Sequence, residues 1–455
     1  MQTATSFLRQ TRGRCHTCLE EVPASVIRRG GEVHLEKQCP DHGRSAQLLS
    51  RSPERWIDLD RYYFEVNEPS YPQRDYIVRM TERCNLDCPI CLASANTEDT
   101  PDLDLSGLET LLSERRGIKI DLMAAEPTLR EDLEDWIRKV KASGNIAALH
   151  SNGLKLAKFE YAKKLKEAGL DEVFLQFDGF DEEAHKVLRG RPLVKARMKT
   201  LENLRELGIA TSLIVVIARG LNEAEVSKTF RFALQPENTH IREVFFLGLR
   251  MLGSARANDE RGEGSLRDMA MMPDELLDRL CEQEPSILPD DVRRFNKLYF
   301  ALLSVFRVKK CLYVQHYLVT RDGEGGYAPA ASWMNLEAIE VAADRYAVDH
   351  KRSPRLARAR LLSAVARNCL NRSTFGMLMD LFRMQHLLHD GMNLARVPPR
   401  FLLLGFITAC DPHNFDAQVA VNCGKGELSV DGGFTESSAI ANVQREARFE
   451  RSREE

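Results

Sequence analysis

The sequence predicts an α/β protein: a partial (β/α)6 barrel behind a small N-terminal metal-binding knuckle and ahead of a mainly helical C-terminal region. Three observations carry that prediction. From about residue 74 to 265, short apolar segments alternate with amphipathic helical ones, the pattern of β/α units around a parallel sheet. Before them stand two pairs of soft ligands on either side of a hairpin. After residue 265 the apolar periodicity turns helical. The 455 residues are 43% hydrophobic and 29% charged, which suits a globular chain of several units with ample core. A net charge of −3 gives no global field favouring nucleic acid or an anionic membrane. No apolar run approaches the roughly 20 residues that span a bilayer. The N-terminus lacks the apolar stretch of a secretory signal. Eleven cysteines in such a chain read as metal ligands or buried thiols in a reducing compartment, so a cytoplasmic location is expected.

Residues 1–70 form the first unit. Cys15-His16-Thr17-Cys18 is followed by Cys39-Pro40-Asp41-His42, with a strand predicted over 33–37 after the turn at Gly30-Gly31. Cys15, Cys18, Cys39 and His42 can complete a tetrahedron around zinc or a single iron. His42 is the weak member, since Asp41 and Gly43 mark an exposed turn; the alternative is three free thiols in a disordered leader. Lying outside the barrel, this unit is expected to act on folding and not on chemistry.

The barrel occupies 71–265, with strands predicted over 76–80, 118–122, 146–150, 172–177, 210–217 and 243–247, and helices such as 130–142 and 155–168 between them. Sites in such folds lie on the loops after the C-terminal ends of the strands. Region 266–398 reads as helical: Pro273-Asp274-Glu275 starts a helix well, and long amphipathic stretches cover 292–306, 335–349 and 363–388. Met269, Met271 and Met272 suggest a flexible contact surface. Residues 399–455 read as a compact tail of short strands and turns, carrying a substrate or auxiliary site and ending in a charged, disordered segment over 444–455.

Chemistry concentrates on the loop after the first barrel strand, in Thr81-Glu82-Arg83-Cys84-Asn85-Leu86-Asp87-Cys88-Pro89-Ile90-Cys91. Three closely spaced thiolates can hold three irons of a [4Fe–4S] cube and leave the fourth iron without a protein ligand. A metal site with an open position binds a substrate or cofactor there. A zinc knuckle is the alternative, and it needs a fourth ligand nearby. The second strand ends in Met123-Ala124-Ala125-Glu126-Pro127, where small residues let backbone carbonyls approach a ligand ammonium. The third ends in His150-Ser151-Asn152-Gly153. The fourth ends in Gln176-Phe177-Asp178-Gly179, whose alternation turns Gln176 and Asp178 to one side, that of the barrel mouth; otherwise Asp178-Gly179 is a turn and Arg189 a surface cation. Arg250, after the sixth strand, is suited to bidentate carboxylate binding.

The series over 76–256 resembles the radical S-adenosylmethionine (radical SAM) superfamily. The resemblance implies that Cys84, Cys88 and Cys91 ligate a [4Fe–4S] cluster whose open iron is chelated by S-adenosylmethionine. It also implies that Ala124, Ala125, Glu126, Pro127, Asn152, Gln176, Asp178 and Arg250 bind the cofactor, with Ala124-Ala125 standing where the family has two glycines. A reducing partner such as flavodoxin or ferredoxin and a small-molecule substrate follow from the same resemblance. Together with the N-terminal knuckle and the tail around Asp411-Pro412-His413, Leu-Gln-Phe-Asp-Gly-Phe resembles the tetraether lipid synthase branch, although residues 44–83 hold no cysteine for that branch's second knuckle.

The implied reaction is reductive cleavage of S-adenosylmethionine and formation of a carbon–carbon or carbon–heteroatom bond. One alternative resembles radical SAM 3-amino-3-carboxypropyl transferases acting on trivalent arsenic, with Cys311, Cys410, His413 and Cys423 as a substrate or auxiliary site. The other is a non-catalytic metal-binding scaffold. Cys281 and Cys369 lie on amphipathic helices and are read as buried small hydrophobes.

Overall fold

The computed structural model describes residues 5–93, 95–96, 100–113, 115–260, 266–369, 393–408 and 410–454, the last five by backbone alone. Strands β1 (Thr5–Arg14), β2 (Glu21–Arg29), β3 (Glu32–Cys39) and β4 (Gly43–Ser50) make an antiparallel meander. Val22, Ala24 and Val26 of β2 point inward between exposed Glu21 and Pro23, the alternation of a half-buried strand. Only β3 was foreseen. β1 is mostly polar, so it carries no apolar alternation to read.

The second sheet has eleven strands. β5 (Asp75–Arg79), β6 (Lys119–Met123), β7 (Ile146–Ser151), β8 (Glu172–Gln176), β9 (Ala210–Ile217) and β10 (Ile241–Gly248) are parallel neighbours and coincide with the six predicted segments. Helices between them follow their apolar spacing; Leu133–Ala142 buries Leu133, Trp136, Ile137 and Val140. Beyond β10 lies the parallel strand β13 (Phe401–Ile407), then the antiparallel β11 (Val314–Arg321) and β12 (Tyr327–Pro329). On the other edge β14 (Gly426–Leu428) runs parallel to β5, with β15 (Phe434–Thr435) outside it. The tail thus extends both edges of the barrel sheet.

Three expectations change. Residues 266–398 are not helix alone: β11 and β12 interrupt the helices Pro273–Gln283, Pro289–Phe306, Leu336–Asp349 and Pro354–Cys369, and 370–388 of the last predicted helix lie outside the described residues. The segment 444–454 is not disordered. It belongs to the helix Ser438–Glu454, because Glu446, 4% exposed, accepts from the Gly253 N–H (2.9 Å) and pairs with Arg256 (3.3 Å). Met271 and Met272 are buried, Met272 against Val26, Val33 and Leu35 beneath the small sheet.

The barrel sheet is curled. β6 and β10 stand four places apart, roughly 19 Å in a flat sheet, yet Lys119 of β6 and Glu243 of β10 act on each other electrostatically, and Lys119 pairs with Glu172 of β8 at 3.2 Å. The helix Pro53–Val66 packs with the C-terminal helices: Tyr62 donates to the Ala343 carbonyl and Tyr63 to the Lys310 carbonyl, both at 2.8 Å.

The small sheet also docks on the tail. Lys37 donates to the carbonyls of Arg14, Pro412 and His413, each at 2.9 Å. Thr11 donates to Asp416 (2.6 Å), and His16 stacks on His413 with centroids 5.1 Å apart. Among the described residues no helix is long and apolar enough to cross a membrane.

Candidate active site at the barrel mouth

Cys84, Cys88 and Cys91 follow β5, each part-exposed. Asn96 staples the loop: its oxygen accepts from the Cys84 N–H (2.8 Å), and its amide donates to the carbonyls of Cys84 (3.1 Å) and Leu86 (3.4 Å). It does so at φ +64, a conformation asparagine tolerates better than most residues. The Cys91 N–H closes a turn on the Cys88 carbonyl, and the Ser254 N–H reaches the Cys91 carbonyl at 2.9 Å. Among the described residues, the one group of three or more His, Cys, Asp or Glu donors lying within 4.8 Å of one another is Cys15, Cys18, Cys39 and His42. Among the described residues the triad thus has no fourth donor gathered with it within that distance. Three thiols set wider apart on one loop suit three corners of an iron–sulfur cube.

The Ala124-Ala125-Glu126 segment lies directly against this loop. The Ala125 N–H donates to the Thr81 carbonyl (3.1 Å) and the Glu126 N–H to the Arg83 carbonyl (3.0 Å). Ala124 adopts φ +121, where glycine would sit freely. Glu126 has no exposed surface. Oε1 accepts from the Thr128 N–H (3.2 Å) and from the hydroxyls of Thr128 (2.5 Å) and Ser151 (2.8 Å), and Oε2 from the Asn152 N–H (2.8 Å). Burial raises its pKa, opposed by these donors. In this structure Glu126 braces the ends of β6 and β7, and Pro127 begins the short turn that it caps. Asn152 donates to Asn85 at 2.7 Å, and its amide lies 3.9 Å from the Cys84 sulfur.

Gln176 and Asp178 do share one side, and there they meet Arg189. Asp178 is fully buried and accepts from Arg189 (2.7 and 3.0 Å), Arg197 (3.0 Å) and the Val216 N–H (3.0 Å). Burial penalises its charge, but the two guanidiniums win and hold its carboxyl far below the usual range. Gln176, with its amide oxygen turned inward, accepts from Arg189 at 2.7 Å. Asp178 and Gly179 do take left-handed backbone angles, φ +59 and +91, but Arg189 is no surface cation: it is 5% exposed and acts electrostatically on the Cys88 thiol. Gly190 ends the helix Glu182–Arg189 in the left-handed conformation; a Cβ there would come 3.3 Å from the Asp87 carbonyl, so glycine permits the close approach to the cysteine loop. Arg197 and Asn96 were missed. A helical arginine and a loop asparagine carry no spacing signal; the Arg-Gly pair at a helix end was the one cue to Arg189.

Cys311, Cys410 and Cys423 pack into one cluster with Tyr63 and Tyr313, within electrostatic reach of Arg250. Their ligand atoms do not all lie within 4.8 Å of one another. Burial pushes Cys311 up to about 12 and Arg250 down to about 10; the Arg250 Nε finds no hydrogen bond. His413 is absent from that cluster, turned instead onto His16 of the small sheet. Cys369, 2% exposed, is ordinary core.

In the small sheet, Cys18 and Cys39 sulfurs lie 3.8 Å apart and the His42 Nδ1 lies 3.5 Å from Cys39. Three thiols and one imidazole within 4.8 Å form a soft tetrahedral donor set that fits zinc.

The profile of the Radical SAM superfamily matches residues 78–233, and that of the HMPTM N-terminal zinc ribbon domain matches residues 7–51. The chain is 29% identical over 321 residues to the 7,8-dihydro-6-hydroxymethylpterin dimethyltransferase of Methanocaldococcus jannaschii, covering 62% of this chain and 63% of that protein. It is 30% identical over 165 residues to a probable GTP 3′,8-cyclase of Pyrococcus abyssi, covering 36% of this chain and 53% of that one. Among solved structures, native anSMEcpe with bound AdoMet aligns with a TM-score of 0.38 at 17% identity, over 52% of this chain and 71% of that one. The chain thus spans less than two thirds of these curated relatives, which are named for a pterin and a guanine nucleotide and not for a lipid. With the cysteine loop and the parallel β/α strands lying in the matched stretch, residues 78–233 form a domain of the radical SAM superfamily, behind an N-terminal stretch that matches a zinc ribbon.

Proposed function

We propose that this radical SAM enzyme forms a carbon–carbon or carbon–heteroatom bond on a pterin-like ring, one carrying the 2-amino-4-oxopyrimidine edge that pterins and guanine share. The observation that carries the reading is the joining, in one chain, of a ribbon of the HMPTM type to the Cys84–Cys88–Cys91 barrel, with 29% identity to a pterin dimethyltransferase. When bound, the cluster and S-adenosylmethionine supply an electron and a carbon radical. The chain's own residues position that chemistry: Asn96 fixes the backbone of the cysteine loop, Glu126 ties the ends of β6 and β7 beneath it, and Arg189 sets a cation against Cys88. The curled sheet encloses the reaction below the loop.

Anaerobic reconstitution with iron and sulfide, followed by a reductant, S-adenosylmethionine and 6-hydroxymethyl-7,8-dihydropterin, tests the proposal. The expected result is 5′-deoxyadenosine that accumulates faster with the pterin present, together with consumption of that pterin. Alanine at Cys84, Cys88 or Cys91 should abolish both. Release of 5′-methylthioadenosine would instead indicate aminocarboxypropyl transfer, and absence of either nucleoside product would favour a scaffold.

A further inference from the structure

The inner face of the sheet carries an aromatic device that the cofactor machinery does not use. His150 of β7 lies flat on Phe174 of β8, with centroids 4.3 Å apart and planes 2° from parallel. Its Nε2 is buried, 3.5 Å from the Asp121 carboxylate of β6, and neither atom has a hydrogen-bond partner. Asp121 in turn is held by Lys425 from the tail. Although His150 is surrounded by charged residues deep in the sheet, its side chain keeps 23% exposure while that of Asp121 keeps none. With Phe174 against one ring face and Nε2 buried, that exposure falls on the rest of the ring.

We propose that the Phe174–His150 stack, tethered by Asp121, is the platform on which the planar heterocycle of the substrate lies. This rests on the reading of the substrate as a pterin-like ring. Three further observations support it. At 3.5 Å the Asp121 carboxylate anchors one edge of the ring without a hydrogen bond, so Nε2 is not satisfied within the protein. Burial, together with those lysines, pushes His150 below its ordinary pKa against the pull of Asp121, so the exposed face is that of a neutral imidazole, suited to stacking. The platform also sits where substrate is needed. Ser151 and Asn152, the next two residues, brace Glu126 and the cysteine loop, so His150 lies one residue deeper, about 3.3 Å along the strand. Lys425, its side chain 33% exposed, stands beside it as a donor for a ring carbonyl.

The test is a fluorescence titration of the cluster-loaded full chain with 6-hydroxymethyl-7,8-dihydropterin, and in parallel with GTP. His150→Leu should weaken binding of whichever ring binds about tenfold, the factor expected from a lost ring–ring stack, while His150→Phe keeps it within about threefold because the stack survives. Cluster absorbance reports integrity; if His150→Leu loses it, Phe174→Leu carries the same comparison and the same expected loss. Equal binding by the parent and the leucine variant removes the platform and leaves the substrate reading standing. Failure of the parent to bind either ring overturns the substrate reading and the platform with it.

Discussion

Ala124 shows what a single methyl does to this site. At φ +121 it occupies backbone space that disfavours any Cβ, a cost on the order of 1–3 kcal/mol, and the N–H groups of Ala125 and Glu126, bonded to the cysteine loop, keep it there. Glu243 is a second residue under stress. It is 2% exposed, its carboxylate accepts from Ser212 (2.9 Å), and burial pushes it from 4.5 up to about 7 despite the distant pull of Lys119. A raised carboxyl favours the protonated folded state. Its contribution is therefore complete below about 4.5 and is lost as pH rises through about 7, by up to about 3 kcal/mol. Glu243→Gln, which stays neutral, should gain stability relative to the parent between pH 5 and pH 8, read from denaturant midpoints; a constant difference across that range would exclude the shifted carboxyl. Residues whose spacing is set by chemistry, such as Cys84, Cys88 and Cys91, were legible in the sequence. The partners of Asp178 were not, because a carboxylate reads the same whether it faces a ligand or two buried guanidiniums.

At the scale of elements, the six parallel strands could be read because each is a short apolar run with its own turn signals. The docking of the ribbon could not, since Lys37, Thr11 and His16 look like surface residues until the 411–416 loop is placed against them. That docking ties the ribbon to the loop whose Asp411 accepts from the Met251 N–H (3.0 Å), next to Arg250. A four-stranded sheet this small has little core of its own, so its metal supplies much of its stability. Cys15→Ser combined with Cys18→Ser should remove about one equivalent of metal by elemental analysis and speed amide exchange over 411–416. Metal loss with unchanged exchange there would show the docking to be independent of the metal.

For the whole molecule, Lys425 is the connection that matters most. It pairs with Asp75 of β5 at 3.2 Å and with Asp121 of β6, closing the tail onto the barrel. Lys425→Met should destabilise the fold, though by less than the roughly 3–5 kcal/mol of a fully broken buried pair, since its side chain is 33% exposed and Lys119 and Lys310 remain near Asp75. Thermal melts measure that loss; an unchanged midpoint would mean the tail is held by its other contacts without this pair. β14 has three residues and a partner strand some 350 positions earlier, so no local pattern could have announced the pairing. That separation also sets a clock. At roughly 5–20 residues per second, synthesis leaves the β5 edge bare for roughly 20–70 s after the cysteine loop has emerged. During that interval the edge of the barrel sheet beside the loop is unpaired, so the strand that completes it arrives long after the residues it flanks.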